Sequence, residues 1–219
     1  MRIGVLGTGT VGTTLASRFV GLGHDVVMGS RSATNEKAAG WAAQHAERAA
    51  AGTFADAAAH GEIVVNATAG TSSLAALEAA GAGNLAGKVL VDVANPIAGY
   101  GPPISLEPVG DDSLAERIQR TFPDARVVKT LNTVTAAVMV SPEALGTAHD
   151  VFLAGEDAEA KATVRGLLRE MGWAEENIRD VGGIAAARGL EMYLVLWVTL
   201  AGSLGRYDFN IHVVTPGAV

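Results

Sequence analysis

Three glycines near the start of the chain constrain its fold more than any other feature. The apolar run Ile3-Gly4-Val5-Leu6 turns through Gly7, Gly9 and Gly12 in G-x-G-x-x-G spacing. A helical pattern follows (Val11, Leu15, Phe19, Val20, Leu22) and closes at Gly23, and a second strand-like run, Val26-Val27-Met28, ends in Gly29-Ser30-Arg31. Strand, glycine turn, helix and strand in about thirty residues is the size of one βαβ unit. In such a unit Gly7 permits the tight turn, Gly9 lets the backbone approach a pyrophosphate, and Gly12 lets helix and strand pack closely. The helix start presents unpaired N–H groups and a positive dipole end to phosphate. The alternative is a glycine turn kept for packing alone.

The tip of the second strand bears on which dinucleotide fits. A site for NAD has Asp or Glu there to accept hydrogen bonds from the ribose 2′-OH, and residues 26 to 35 contain no acid. Ser30 and Arg31 stand in its place, with Lys37 six residues on. A hydroxyl and a planar guanidinium fork suit a 2′-phosphate, which favours NADP(H). Read otherwise, Arg31 is a solvated surface charge, and Lys37 lies in a helix-like segment that could face away.

A chain of 219 residues with 49% hydrophobic and 18% charged residues can bury a substantial core as one domain. Its net charge of −7 argues against nucleic acid and anionic membranes as partners. The absence of cysteine excludes disulfides, thiolate nucleophiles and cysteine-ligated metals. The apolar run after Arg2 is too short for a signal peptide, so a soluble cytoplasmic protein is expected.

Strand and helix signals alternate along the rest. Strands are expected at 52–54, 63–68, 88–93, 126–131, 151–154 and 177–181. Helices are expected over 34–46, with Thr34 as N-cap, and over 72–80, 113–121 and 157–171. Residues 97–108 read as a loop with room for a short edge strand. This rhythm indicates an α/β fold, doubly wound around a mostly parallel sheet. Residues 192–205 are uncharged, but fourteen residues fall short of the roughly 18 that suggest a membrane span. Being apolar nearly all round, the segment from Ile184 to Gly205 reads as a packing helix buried from more than one direction, at a subunit interface. His24 sits in a turn and reads as a surface residue, and residues 208–214 as a strand or arm.

Ligands of open parallel sheets sit at the carboxyl ends of the strands. Here those ends are Thr8–Val11 (with Thr10), Ala67-Thr68-Ala69, Ala94-Asn95-Pro96 and Asn132-Thr133-Val134-Thr135. All are small or uncharged. They suit a dinucleotide followed by a flat redox partner better than acid–base catalysis, because hydride transfer between two rings needs positioning and exclusion of water. No catalytic acid or base is therefore assigned. The five histidines show no metal-ligand spacing, Tyr193 is followed by Trp197 rather than by the Lys of a short-chain reductase, and no Gly-x-Ser-x-Gly elbow is present. Asn132 reads equally well as a capping residue or as a ligand, and Asn95 before Pro96 equally well as a turn residue.

The run Gly7-Thr-Gly-Thr-Val-Gly12, with Leu22-Gly-His-Asp-Val and Gly29-Ser-Arg31, resembles the NADPH-dependent deazaflavin coenzyme (F-420) reductase family. The similarity continues through Val65-Asn-Ala-Thr68, Asp92-Val-Ala-Asn-Pro96 and Val128-Lys-Thr-Leu-Asn-Thr133 to Ala187-Arg-Gly-Leu-Glu191 and Phe209-Asn-Ile-His212. The resemblance implies a Rossmann domain over 1–182, a small C-terminal helical extension over 183–219 and a homodimer. It also implies NADP at Thr8, Thr10, Val11, Ser30 and Arg31, with the nicotinamide near Ala67–Ala69. The 8-hydroxy-5-deazaflavin ring of F-420, as second substrate, would then stack near Asn132–Val134. Deazaflavin reductases of the family tend to carry His where this chain has Asn132. An Asn-Thr pair is similar to relatives that reduce other partners, including the reductase domain of metalloreductases, which passes hydride to a flavin. The alternatives are thus reduction of flavin or of a small carbonyl or imine compound, or a redox sensor that holds NADP(H) without turnover.

Overall fold

The computed structural model of the protein describes residues 1–45, 47–101 and 103–216. β1 (Arg2–Leu6), α1 (Thr10–Gly21) and β2 (Asp25–Ser30) form the first βαβ unit, followed by α2 (Glu36–Gln44), β3 (Ala49–Thr53), α3 (Phe54–His60) and β4 (Ile63–Asn66). Next come α4 (Gly70–Ala80), the single turn α5 (Ala82–Leu85) and β5 (Val89–Asp92). β6 (Ile97–Gly99) and β7 (Ser105–Leu106) pair as a separate antiparallel ribbon where a loop with an edge strand is expected. The chain closes with α6 (Leu114–Thr121), β8 (Arg126–Thr130), α7 (Ala136–Val140), β9 (Val151–Ala154), α8 (Ala158–Met171), β10 (Ile178–Asp180) and α9 (Ala187–Leu204).

Eight strands form one sheet in the order β10-β9-β8-β5-β4-β1-β2-β3. All neighbours are parallel except β8 and β9, so the mostly parallel α/β sheet of the Rossmann type is present with one antiparallel junction. The chain leaves β1 for β2 and β3 on one side, then crosses to β4 and β5 on the other. That reversal opens a crevice beyond the carboxyl ends of β1 and β4, where ligands of such sheets bind.

Alternate strand residues feed two cores. Val5, Val65, Val91 and Val128 pack with Leu15 and Phe19 of α1 and Val164 and Leu168 of α8. Leu6, Val64, Leu90 and Val127 pack on the opposite face with Leu77 of α4, Ile118 of α6 and Leu190 of α9. Each such side chain, fully buried, contributes roughly 1.5–3 kcal/mol.

Several local expectations shift, each for a physical reason. α2 is capped by Asn35, not Thr34: the Asn35 side chain accepts from the Ala38 N–H at 3.0 Å. Its expected last residue, Ala46, lies outside the described residues. β3 starts earlier, at Ala49, because pairing with β2 overrides alanine's helical preference. Phe54 instead opens α3, where Thr53 and Asp56 form a reciprocal capping box. His24 is buried rather than superficial, its Nε2 lying 2.8 Å from Glu170 Oε2 and its ring tilted against Phe19. Residues 208–214 form no strand. They run as an arm, with Ile211 O accepting from Asp150 N and Val213 N donating to the Asp150 carboxylate.

α9 covers the expected apolar segment, and its own chain buries one stripe of it. Ala187, Leu190, Glu191, Leu194 and Ala201 make a single buried stripe, while Met192, Val195, Leu196, Val198 and Leu204 face outward. With the turn before it, the segment Ile184–Leu204 spans 21 residues and is long and apolar enough, by length and composition, to cross a membrane.

Candidate functional site

The turn after β1 is built by close contact. Gly7 has φ +118°, and a Cβ there would lie 2.5 Å from the Ala67 carbonyl oxygen. A Cβ on Gly12 would lie 2.2 Å from Gly7 O, so α1 can approach β1 only with glycine at 12. Gly9 differs: a Cβ there would meet nothing within 4 Å, and no side chain caps the start of α1. The free N–H groups at Gly9 and beyond therefore face open space, an arrangement that fits a pyrophosphate.

A cavity of about 610 Å³ runs from this turn to the tip of β2, lined by Gly7, Thr8, Gly9, Ser30, Arg31 and residues 67–69. The two polar groups at its far end differ. Ser30 is buried, and its hydroxyl donates to Ser32 O at 2.6 Å and accepts from Ser32 N at 3.2 Å, so it shapes the loop. Arg31 is exposed, and among the described residues its guanidinium has no ion pair. An unpaired fork at the strand tip fits a 2′-phosphate. Lys37 lies elsewhere, in a separate groove with Thr8, Arg18 and Trp41.

A second cavity, of about 640 Å³, shares the 67–69 wall and extends over the ends of β5 and β8. Thr10, Val11, Ala94, Asn95, Asn132 and Val134 line it, joined by Tyr100, Leu194 and Trp197. No charged side chain is among its lining residues. Gly12, Pro96 and Thr133 line neither cavity: Gly12 serves packing, while Pro96 and Thr133 are buried. Trp197 stacks on Phe209 and Tyr207, with ring centroids 5.3 and 5.9 Å away, which walls the mouth with aromatic surface.

Asn132 is fixed by its neighbours. Its Nδ2 donates to Asn95 Oδ1 at 2.9 Å and to the Leu190 carbonyl at 2.8 Å, and Asn95 Nδ2 donates back to Asn132 O at 2.8 Å. Two backbone carbonyls thereby set the orientation of both amides. Asn132 Oδ1 has no partner, so the side chain combines a structural tie with an unused acceptor.

Behind this wall lies a group the strand-end argument misses. Asn66, Asp92 and Lys129 are in register on adjacent strands β4, β5 and β8, Asn66 and Asp92 closing their strands and Lys129 one position before the end of β8. Lys129 is fully buried, with Nζ 2.9 Å from Asp92 Oδ2 and 3.0 Å from Glu191 Oε1, and it donates to the Ala94 carbonyl. Burial alone would lower the Lys129 pKa, but the two carboxylates outweigh it and raise the value above the ordinary range. Asn66 joins Asp92 to Thr68, since Nδ2 donates to Asp92 Oδ1 at 2.8 Å and Oδ1 accepts the Thr68 hydroxyl at 2.7 Å. The available signal was a charge within each of three apolar runs: Lys129 in β8, Asp92 closing β5, and Glu191 in α9.

No group of His, Cys, Asp and Glu among the described residues could hold a metal ion. The arrangement can hold an extended dinucleotide from Arg31 to the 67–69 wall and a flat apolar molecule beyond it. It supplies no carboxylate or imidazole to the reacting space.

Comparison with known proteins agrees with this layout. Residues 2–96 match the family described as NADP oxidoreductase, coenzyme F420-dependent. The crystal structure of a putative F420-dependent NADP-reductase from Arthrobacter sp. FB24 is 49% identical, with a TM-score of 0.92 over 98% of this chain and 100% of that one. Metalloreductase STEAP3 of Rattus norvegicus is 33% identical over 193 residues, 87% of this chain; the chain spans 36% of that protein's length. An imine reductase from Aspergillus terreus, solved in complex with NADPH4, shares the fold at 21% identity, with a TM-score of 0.66 over 93% of this chain and 63% of its own.

Proposed function

This chain belongs to the coenzyme F420-dependent NADP oxidoreductase family, and from that premise we propose that it transfers hydride between NADP(H) and a deazaflavin-type coenzyme. The supporting observation is the pair of cavities that share the 67–69 wall at the strand crossover, one ending at an unpaired arginine and the other uncharged and aromatic-walled. In this reading the backbone from Gly7 to Val11 holds the pyrophosphate, Ser30 shapes the loop that presents Arg31, and Arg31 binds the 2′-phosphate. Residues 67–69 and Ala94–Asn95 back the nicotinamide, which supplies hydride from C4 when bound. Asn132, Val134, Leu194 and Trp197 hold the acceptor ring and exclude water, with Thr133 buried behind them. Lys37 lines the adjoining groove, which shares Thr8 with the nucleotide cavity.

Mixing the protein with NADPH and oxidised deazaflavin coenzyme should discharge the coenzyme's visible absorbance. No change would refute this acceptor. A second reading keeps the NADPH half and replaces the acceptor by flavin. It is favoured by the 33% identity to a metalloreductase and by Asn132, whose amide protons are both committed within the protein. Flavins, carbonyl compounds and imines offered in parallel separate these outcomes. Tight NADPH binding with no consumption by any of them would instead mark a sensor. We also assign the outward apolar face of α9 to a second copy of the chain, giving a homodimer; sedimentation as a monomer would refute this.

A further inference from the structure

Every oxygen of the two buried carboxylates behind the cavity wall is occupied by a donor. Asp92 Oδ1 accepts from Asn66 Nδ2 at 2.8 Å and from Ala94 N at 3.3 Å, and Oδ2 accepts from Lys129. Glu191 Oε2 accepts from Leu114 N at 2.8 Å, and Oε1 from Ala115 N at 3.1 Å and from Lys129. Donors at both oxygens of each acid favour the carboxylate form. Two carboxylates with one lysine between them give the cluster a formal net charge of −1.

That formal charge lies directly behind the wall of the site. The three side chains are 0–2% exposed, so water screens them little. Lys129 bonds the carbonyl of Ala94, a residue of the cavity wall, and Glu191 follows Leu190, whose carbonyl holds Asn132. One layer of residues separates the cluster from a cavity whose lining contains no charge of its own.

We infer that the Asp92–Lys129–Glu191 cluster biases the site toward the cationic, oxidised nicotinamide, making the protein a stronger hydride donor than a neutral site of the same shape. The inference rests on the proposed seat of the nicotinamide against residues 67–69 and 94. When hydride, two electrons and a proton, leaves C4 of the neutral dihydronicotinamide, the ring gains one positive charge and the acceptor takes the hydride. A fixed negative charge behind the ring stabilises the product side of that exchange and leaves the neutral reduced ring almost untouched. The phosphates, identical in both forms, cancel from the comparison.

The test compares NADP⁺ and NADPH binding by calorimetry in the wild type and in Glu191→Gln, Asp92→Asn and Glu191→Asp, with melting curves to verify folding. Each neutral variant should weaken NADP⁺ relative to NADPH by about fivefold, the order expected of one unit charge acting through a single layer of residues. Glu191→Asp, which keeps the charge and loses the fit, should keep the wild-type ratio. Equal weakening of both nucleotides, or the same shift in Glu191→Asp as in Glu191→Gln, would reduce the cluster to packing and overturn the inference. If neither neutral variant folds, the wild type decides: NADP⁺ must bind at least as tightly as NADPH, and tighter NADPH binding overturns it. A wild type that binds neither nucleotide would defeat the proposed nucleotide seat itself, a failure distinct from an unchanged ratio.

Discussion

The two ends of the crevice are built on opposite plans. At the nucleotide end the chain removes side chains: glycine at 7 and 12 lets strand, turn and helix pack closely, glycine at 9 leaves open space, and one unpaired arginine stands at the rim. At the acceptor end it adds them, and several polar groups there are committed to one another: Asn95 to Asn132, Asn132 to Leu190, Thr68 to Asn66, Lys129 to two carboxylates. An end that must bind phosphate keeps its donors free. An end that must hold a flat ring ties its amides and charges to one another.

The sharpest way to break this contrast is Lys129→Met. It leaves two buried carboxylates facing one another without their cation, and should cost about 3–5 kcal/mol of stability, read as a drop in the urea midpoint. A loss below 1 kcal/mol would show that the cluster is not held as described. Gly12→Ala attacks the other end: its Cβ would sit 2.2 Å from Gly7 O, forcing α1 off β1. The expected cost is about 3 kcal/mol in thermal unfolding, with NADPH affinity lost in step. Arg31→Ala leaves the fold intact and should weaken NADPH by about 1.5–3 kcal/mol in titration calorimetry while leaving NADH nearly unchanged. Equal losses for both would remove the 2′-phosphate role.

The smallest effect lies outside the crevice, at the arm that crosses β9. Burial pushes the Asp150 carboxyl up, but the bonds from Arg179 and from the Val213 N–H outweigh it and hold it below the ordinary aspartate value. A group depressed in the folded state contributes stability above its unfolded pKa and loses it as pH falls through the folded one. Protection of the Val213 amide against hydrogen exchange should therefore decline in the acid range below pH 4. Asp150→Asn should reproduce that loss at neutral pH at a cost of about 1 kcal/mol.

Legibility in the sequence follows the same division. β1, α1 and β2 could be read because each signal is local: three glycines, an apolar strand on either side, and Arg31 at a fixed offset. The same logic points to strand ends 67–69, 94–96 and 132–134, and the sheet brings all of them except the buried Pro96 and Thr133 to the cavity walls. The cluster of Asp92, Lys129 and Glu191 was not legible, because partners 37 and 62 residues apart carry no periodic mark and meet only through the register of β5 with β8 and the docking of α9. α7 was missed for a different reason: Leu131, at φ +62°, ends β8 abruptly where the apolar pattern continues. For α9 composition marks an apolar helix but cannot say how much of it its own chain covers.

The reciprocal amides of Asn95 and Asn132 carry a consequence for inheritance. Each is the other's partner, and Asn132 also satisfies Leu190, so changing either one strands a buried acceptor or donor on the other. Lineages that adopt a different acceptor should change positions 95 and 132 together, whereas the glycine turn can stay as it is. The reach of this scaffold across hydride acceptors is then set by how readily two residues on neighbouring strands mutate as a pair.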